Sequence, residues 1–286
     1  MNLLAILAIV GLGLLTGLFS GMFGIGGGAV ITPGLLAIFS LLKVPEGVLT
    51  HLAVGTSLTY IFIVSSVTFF FYARFGVGMT RERLLLFLSA LVGGLLGSIL
   101  ALISPSGLLR ALLGFVELGV GVQMFLVGSL HRHYSSSSYE GKEPRKASGF
   151  ILGILGIACG MLSPLTGVGG GVLAVPAMVL WLRVPYGQAA ANGAFMVIGT
   201  SFLSAIFFIL GGFFRRKEVF QGVDLLSWTS MGFVSPLALW CLLPFGILGS
   251  FLGSRLAMTE SPTKMQGLLA GVLLIIGLWV LMPVFF

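Results

Sequence analysis

The residues with the clearest chemical potential are glycines. Gly21-Met22-Phe23-Gly24-Ile25-Gly26-Gly27-Gly28 leads on to Pro33, and Pro164-Leu165-Thr166-Gly167-Val168-Gly169-Gly170-Gly171 leads on to Pro176. Consecutive glycines are poor helix formers, so each cluster predicts a break in the helix that carries it. A helix restarting after such a break has first-turn N–H groups with no partner of their own. Together with the positive end of the helix dipole, those amides can seat an anion. The candidate seat residues are Gly24, Gly26, Gly27 and Gly28, with Gly167, Gly169, Gly170 and Gly171. A kink that serves packing alone is the competing reading.

Neutral donors lie nearby in the sequence. Ser20, Ser163 and Thr166 flank the clusters, and Thr56, Ser57, Asn192, Thr200 and Ser201 follow further on. Hydroxyls and amides can hold an oxyanion without a fixed positive charge that would slow its release. Each hydroxyl also has an ordinary alternative, a bond back to its own helix carbonyl. Gly-Thr-Ser occurs twice, at 55–57 and 199–201, and for that pair pocket lining is as strong a reading. Glu117 is the only acidic residue deep in an apolar stretch. Unless it pairs with Arg110 or snorkels to the surface, it is a candidate proton carrier. His51, near Glu46, reads as an interfacial histidine rather than a ligand.

The elements that must position these groups follow from composition. Charged residues are 8% of the 286 and hydrophobic residues 57%, with mean hydropathy +1.14. Soluble chains carry about 25% charge. Too few charges remain for a soluble surface. Stretches such as Met1–Leu42, Leu84–Leu109 and Ala147–Leu182 contain no Asp, Glu, Lys or Arg. Each exceeds the roughly 20 residues that cross a bilayer as a helix. The alternating segments of a transmembrane barrel are absent. The reading is an all-α polytopic membrane protein. Its first apolar stretch lacks the basic start and cleavage site of a signal peptide. The net charge of +7 is assigned to cytoplasmic loops rather than to nucleic-acid binding. Cys159 and Cys241 show no metal-ligand spacing. No phosphate-binding loop or zinc-protease motif is present. No metal, cofactor or enzymatic activity is expected.

The chain is duplicated. Four glycines and the proline of the two clusters coincide at one offset of 143 residues. Lys43-Val44-Pro45-x-Gly47 then matches Arg183-Val184-Pro185-x-Gly187, and Gly55-Thr56-Ser57 matches Gly199-Thr200-Ser201. Gly94-x-x-Gly97-Ser98 matches Gly246-x-x-Gly249-Ser250. Glycines spaced by four, at Gly93/Gly97, Gly249/Gly253 and Gly267/Gly271, read as helix-packing positions. The division is a first transmembrane repeat over 1–130, a linker over 131–148 with a serine run, and a second repeat over 149–286.

The spans are read at 3–20, 28–42, 47–72, 84–104 and 107–130, then 149–163, 170–182, 187–213, 227–256 and 263–286. Five spans per half is an odd number, so the second half enters the membrane from the opposite side and the repeats are inverted. The expected total is about 8–10 helices, the lower number applying if the short glycine-flanked segments are re-entrant. Basic residues in the loops, with Arg215-Arg216-Lys217 dissenting, put the linker in the cytoplasm.

These motifs resemble the TauE/SafE sulfite exporter family, also called the toluene sulfonate uptake permease family. The resemblance rests on the doubled G-x-G-G-G segments with their prolines, the Pro-x-Gly blocks and the Gly-x-x-Gly-Ser blocks, and covers nearly the whole chain. It implies a multi-pass carrier in the inner membrane for a small anionic substrate such as sulfite, sulfoacetate, thiosulfate or another sulfonate. Export is the favoured direction, by alternating access. An anion channel or an uptake permease for another small anion is the alternative. Membrane lipid is the expected surrounding, nucleic acid is not a partner, and self-association into a homo-oligomer is left open. The second motif departs from the first in having Pro164 and Thr166 where the first has Gly21 and Phe23. The two seats need not contribute equally.

Any dependence of transport on a pH gradient is expected to be abolished by Glu117→Gln. Flux measured in vesicles with and without that gradient decides it, and unchanged coupling removes Glu117 from the mechanism.

Overall fold

The computed structural model describes residues 3–74, 81–134, 149–182, 184, 186–214, 231–259 and 262–285. The described residues form ten helices in chain order. The first five are α1 (Leu3–Phe23), α2 (Gly28–Leu41), α3 (Glu46–Arg74), α4 (Arg81–Ile103) and α5 (Ser106–Tyr134). The second five are α6 (Gly149–Thr166), α7 (Gly171–Leu182), α8 (Tyr186–Phe214), α9 (Pro236–Thr259) and α10 (Pro262–Phe285). The all-α polytopic reading holds. Among the described residues, six helices are individually long and apolar enough to cross a membrane. Their outward faces carry large apolar side chains, with Phe150, Phe214 and Trp240 each more than two-thirds exposed. Such a surface suits lipid, not water.

Two helices are too short to cross. α2 has 14 residues and α7 has 12. At 1.5 Å per residue they reach about 21 Å and 18 Å, against a hydrocarbon core of about 30 Å. Both begin at a glycine cluster. They are half-helices, and the eight others are longer.

Helix pairing follows the order of the sequence repeat. α1 packs along α9, and α6, which holds the place of α1 in the second half, packs along α4. α3 packs on α8, and α5 on α10. The first two contacts are lined with glycine. A Cβ added to Gly17 or Gly21 of α1 would run into the carbonyl of Gly246 or Ser250 in α9, and one on Gly249 or Gly253 into that of Leu14 or Leu18. On the other pair, Gly93 and Gly97 of α4 meet the carbonyls of Ile157 and Met161 in α6. Small residues every fourth position allow this backbone approach, and dispersion across the close contact holds the helices where lipid offers no hydrophobic drive. Gly267 and Gly271 do not share this role, because a Cβ there meets nothing within 4 Å among the described residues. The α5–α10 contact instead uses Gly114, Gly121 and Gly277, which receive Leu281, Leu274 and Leu118.

Two boundaries differ from the sequence reading. The fourth span of the second half starts at Pro236, not 227. Met231 and Val234 close a tight turn, with Gly232 at φ 61°, and the Ser235 hydroxyl caps the new helix by accepting from the Ala238 N–H at 3.4 Å. α5 also continues to Tyr134, into the segment assigned to the linker. The serine run, Arg183 and Arg215-Arg216-Lys217 lie outside the described residues.

Gly17→Ala is expected to destabilise the bundle by about 1–3 kcal/mol through overpacking. Gly271→Ala should be neutral or slightly stabilising, since Ala outranks Gly in a helix. Thermal denaturation of the two variants in detergent separates the cases.

Candidate functional site

Both glycine clusters break their helices, and both breaks lie in the core. Gly24, Gly26 and Gly27 have φ of 65°, 79° and 73°, and Gly167, Gly169 and Gly170 have 71°, 90° and 66°. These are left-handed values that side chains other than glycine rarely adopt. Each preceding helix is closed the same way: the Gly24 N–H donates to the Ser20 carbonyl at 2.9 Å, and the Gly167 N–H to that of Ser163 at 2.8 Å. The following half-helices start as expected, with Val30 and Ile31 donating to Gly27, and Leu173 and Ala174 to Gly170. Among the described hydrogen bonds, none uses the N–H groups of Gly26, Gly27, Gly28, Gly169 or Gly170.

The two breaks touch. A Cβ on Gly28 would collide with the backbone of Val168, and one on Gly171 would sit 3.0 Å from the Ile25 Cα and 3.2 Å from the Gly24 carbonyl oxygen. Ile61 of α3 and Val197 of α8 cover both, each approaching Gly26 and Gly169. Ile25 and Val168 are 1% and 2% exposed, so the paired breaks are closed off from solvent in this conformation.

The third helices do not align as the Gly-Thr-Ser triplets suggest. Tyr60 bonds Thr16 at 2.8 Å beside the first break, where the carbonyl of Thr16 faces Gly27. In the second half Met196 holds that place, and the carbonyl of Cys159 faces Gly170. Val54 lies against Gly167 as Ala190 lies against Gly24. Thr68 bonds Ser250 at 2.8 Å as Ser204 bonds Ser98 at 3.0 Å. These pairs set one register, in which Ser57 corresponds to Gly193 and Ser65 to Ser201. The Gly-Thr-Ser triplets therefore stand about two turns apart along corresponding helices.

The candidate side chains divide accordingly. The hydroxyls of Ser57 and Thr32 both lie 2.8 Å from the Gly167 carbonyl oxygen and 2.8 Å from each other, holding the second break. Thr32 was not singled out from sequence, although it immediately precedes Pro33. Thr56 accepts from the Ser235 N–H at 3.0 Å and so fixes the entry to α9. Thr166 donates to its own helix at the Leu162 carbonyl (2.8 Å), and Thr200 to that of Val197 (3.1 Å), which is the ordinary alternative for such hydroxyls. Asn192 is engaged in a contact of its own. Ser20 bonds Thr68 at 3.2 Å.

Three buried hydroxyls have no partner among the described residues: Ser65, Ser163 and Ser201. Leaving such a group unsatisfied costs about 1–3 kcal/mol. Glu117 on α5 is 1% exposed, and neither of its oxygens has a hydrogen-bond partner among the described residues. The Nε of Arg110, two turns earlier, is also buried and unpartnered, so the pairing of these two residues is not formed. His51 is held in place, 4% exposed, with Nε2 3.2 Å from the Ala101 carbonyl oxygen and Nδ1 3.3 Å from the Ser106 hydroxyl. It borders an open cavity of about 500 Å³ at the α4–α5 turn, lined also by Glu46 and Ser104.

A helical bundle with paired interrupted spans in contact at its core has the architecture of a membrane transporter. The chain belongs to the sulfite exporter TauE/SafE family, whose model matches residues 9–280. A probable membrane transporter protein of Methanocaldococcus jannaschii is 28% identical over 98% of this chain and 96% of its own length. The probable membrane transporter protein YunE of Bacillus subtilis is 24% identical over 71% of this chain and 78% of that protein. Another of that name from Xylella fastidiosa is 26% identical, covering 92% and 89% respectively. No solved structure matches the chain. The protein is a multi-pass membrane transporter.

Replacing Ser57 by Ala and Thr32 by Val together leaves the buried Gly167 carbonyl without its hydroxyl donors, with an expected loss of about 1–3 kcal/mol. Either single change should cost less, because the other hydroxyl still reaches the carbonyl. Melting temperatures of the three variants in detergent test this.

Proposed function

We propose that the protein is a secondary transporter for small sulfur-containing anions, sulfite, sulfoacetate or a related sulfonate, exporting them across the bacterial inner membrane by alternating access. The observation that carries this reading is the contact of two glycine breaks in which the N–H groups of Gly26, Gly27, Gly28, Gly169 and Gly170 are unused among the described hydrogen bonds. An anion leaving water needs replacement donors, and glycine N–H groups at half-helix starts supply them without a fixed charge. The family name supports sulfite and its relatives as the anion.

In this reading residues 1–130 and 149–286 are inverted repeats joined by a cytoplasmic linker over 131–148. The exchanged helix pairing supports that arrangement, since α1 on α9 is answered by α6 on α4. Gly24, Gly26, Gly27 and Gly28 with Gly167, Gly169, Gly170 and Gly171 form the seat, and Ser57 holds its second half in shape. A closed seat must open toward one face and then the other for an anion to pass, which favours alternating access over a continuous pore. An anion is driven outward by an inside-negative potential, so export needs no second ion, whereas uptake would use Glu117 to bring in a proton.

Counterflow of labelled sulfite or sulfoacetate in proteoliposomes is expected to be saturable and accelerated by the same anion on the far side. Flux that neither saturates nor exchanges would overturn the carrier reading in favour of a channel.

A further inference from the structure

The breaks are surrounded by more donors than the fold itself uses. Ser65 of α3 is fully buried, its hydroxyl has no partner among the described residues, and it stands 3.0 Å from a Cβ built on Gly26. It is therefore aimed at the first break. Ile61, one turn earlier on the same face of α3, touches both breaks. The second half repeats the spacing and the unpartnered hydroxyl. Val197 of α8 touches both breaks, and Ser201 follows it by one turn on the same face, fully buried and likewise without a partner. Neither hydroxyl has been given the back-bond to its own helix that Thr59, Ser66 and Ser89 make. No Lys or Arg is among the described buried residues.

We propose that Ser65 and Ser201 are the paired side-chain donors that bind the anion when the two glycine breaks part. This rests on the reading of the breaks as the anion seat and deepens it. One hydroxyl comes from each half: Ser65 stands beside the left-handed Gly26, whose N–H is unused, and Ser201 lies one turn beyond Val197, which reaches both breaks. The seat so formed consists of neutral donors only, two hydroxyls from facing helices and the amides of Gly26 and Gly169, which suits an oxyanion with several equivalent oxygens. Ser163, in the last turn of α6, is the third buried hydroxyl without a partner. Its counterpart Ser20 is engaged by Thr68, which also bonds Ser250, whereas Ser204, at the place of Thr68, bonds Ser98 but not Ser163. Ser163 is thus free to join the set from the second half alone.

The test uses the full chain and its Ser65→Ala, Ser201→Ala and doubly substituted variants in proteoliposomes. Counterflow of isotope-labelled sulfite is measured with thiosulfate and sulfoacetate as competing anions. Each single change is expected to raise the half-saturating concentration by roughly tenfold or more, the usual effect of losing a hydrogen bond to a charged group. The double change should raise it further. The melting temperature of the ligand-free variants in detergent should stay level or rise, because neither oxygen has a partner in the closed fold. A fall in that temperature accompanied by loss of exchange would assign the serines a structural role and overturn the proposal. An unchanged half-saturation in the double variant, with the parent exchanging sulfite, removes the serines and leaves the seat. Failure of the parent to exchange any of the three anions removes the seat itself, and this assignment with it.

Discussion

The structure depends on bare backbone meeting bare backbone at the centre of an apolar bundle. Gly28 against Val168 and Gly171 against Ile25 leave no space for a methyl group. Non-helical backbone is expensive at membrane depth unless protein encloses it or it lines a cavity. Here the two interruptions enclose each other, with Ile61 and Val197 closing over them. The glycine-lined pairs α1–α9 and α4–α6 bring the ends of the broken spans close, and Ser57 and Thr32 hold the Gly167 carbonyl.

Much of the architecture was legible from residue types alone, because a bilayer imposes simple rules. Apolar length sets each span, and the predicted spans end within a few residues of most observed helices. The breaks were legible because glycine runs cannot sustain a helix, and their pairing because the same motif occurs twice. The start of α9 was not. Its apolar run continues upstream through Phe233 and Val234, so hydropathy gives no stop. Gly232 and the Ser235 cap end it, and these are local backbone effects that hydropathy does not register. The Gly267/Gly271 pair shows the converse. Spacing by four permits close packing but does not say which face meets a neighbour.

The site was harder to read for the same reason. Gly-Thr-Ser recurs at 55–57 and 199–201, and the recurrence suggested equivalent places. Contacts set the register instead, and they match Ser65 with Ser201 across a stretch where the two helices share almost no residue types. Sequence identity cannot detect correspondence between Tyr60 and Met196, or between Val54 and Ala190. What aligns them is the neighbour each touches at its own glycine break. Thr56 and Thr200 carry the same side chain yet do different work, one tying α3 to the turn before α9 and the other bonding its own helix.

That departure from symmetry bears on how the transporter works. A faithful inverted duplication would give the inward-open and outward-open conformations equal energy, leaving only the ligand and the membrane potential to bias them. The two halves here are not faithful copies. The Gly167 carbonyl is held by Thr32 and Ser57, while the Gly24 carbonyl faces the corresponding Val175 and Gly193, which carry no hydroxyl. Glu117 adds a second inequality, because the α5–α10 contacts of Gly121 with Leu274 and Gly277 with Leu118 make Leu273 its counterpart in the second half. If one half moves against the other as proposed, the Thr32 and Ser57 bonds to the Gly167 carbonyl must break at the second glycine break, and the matching positions at the first carry no hydroxyl. If the halves exchange roles as proposed, the first break is the cheaper one to open, and the closed conformation leans toward the face that it guards.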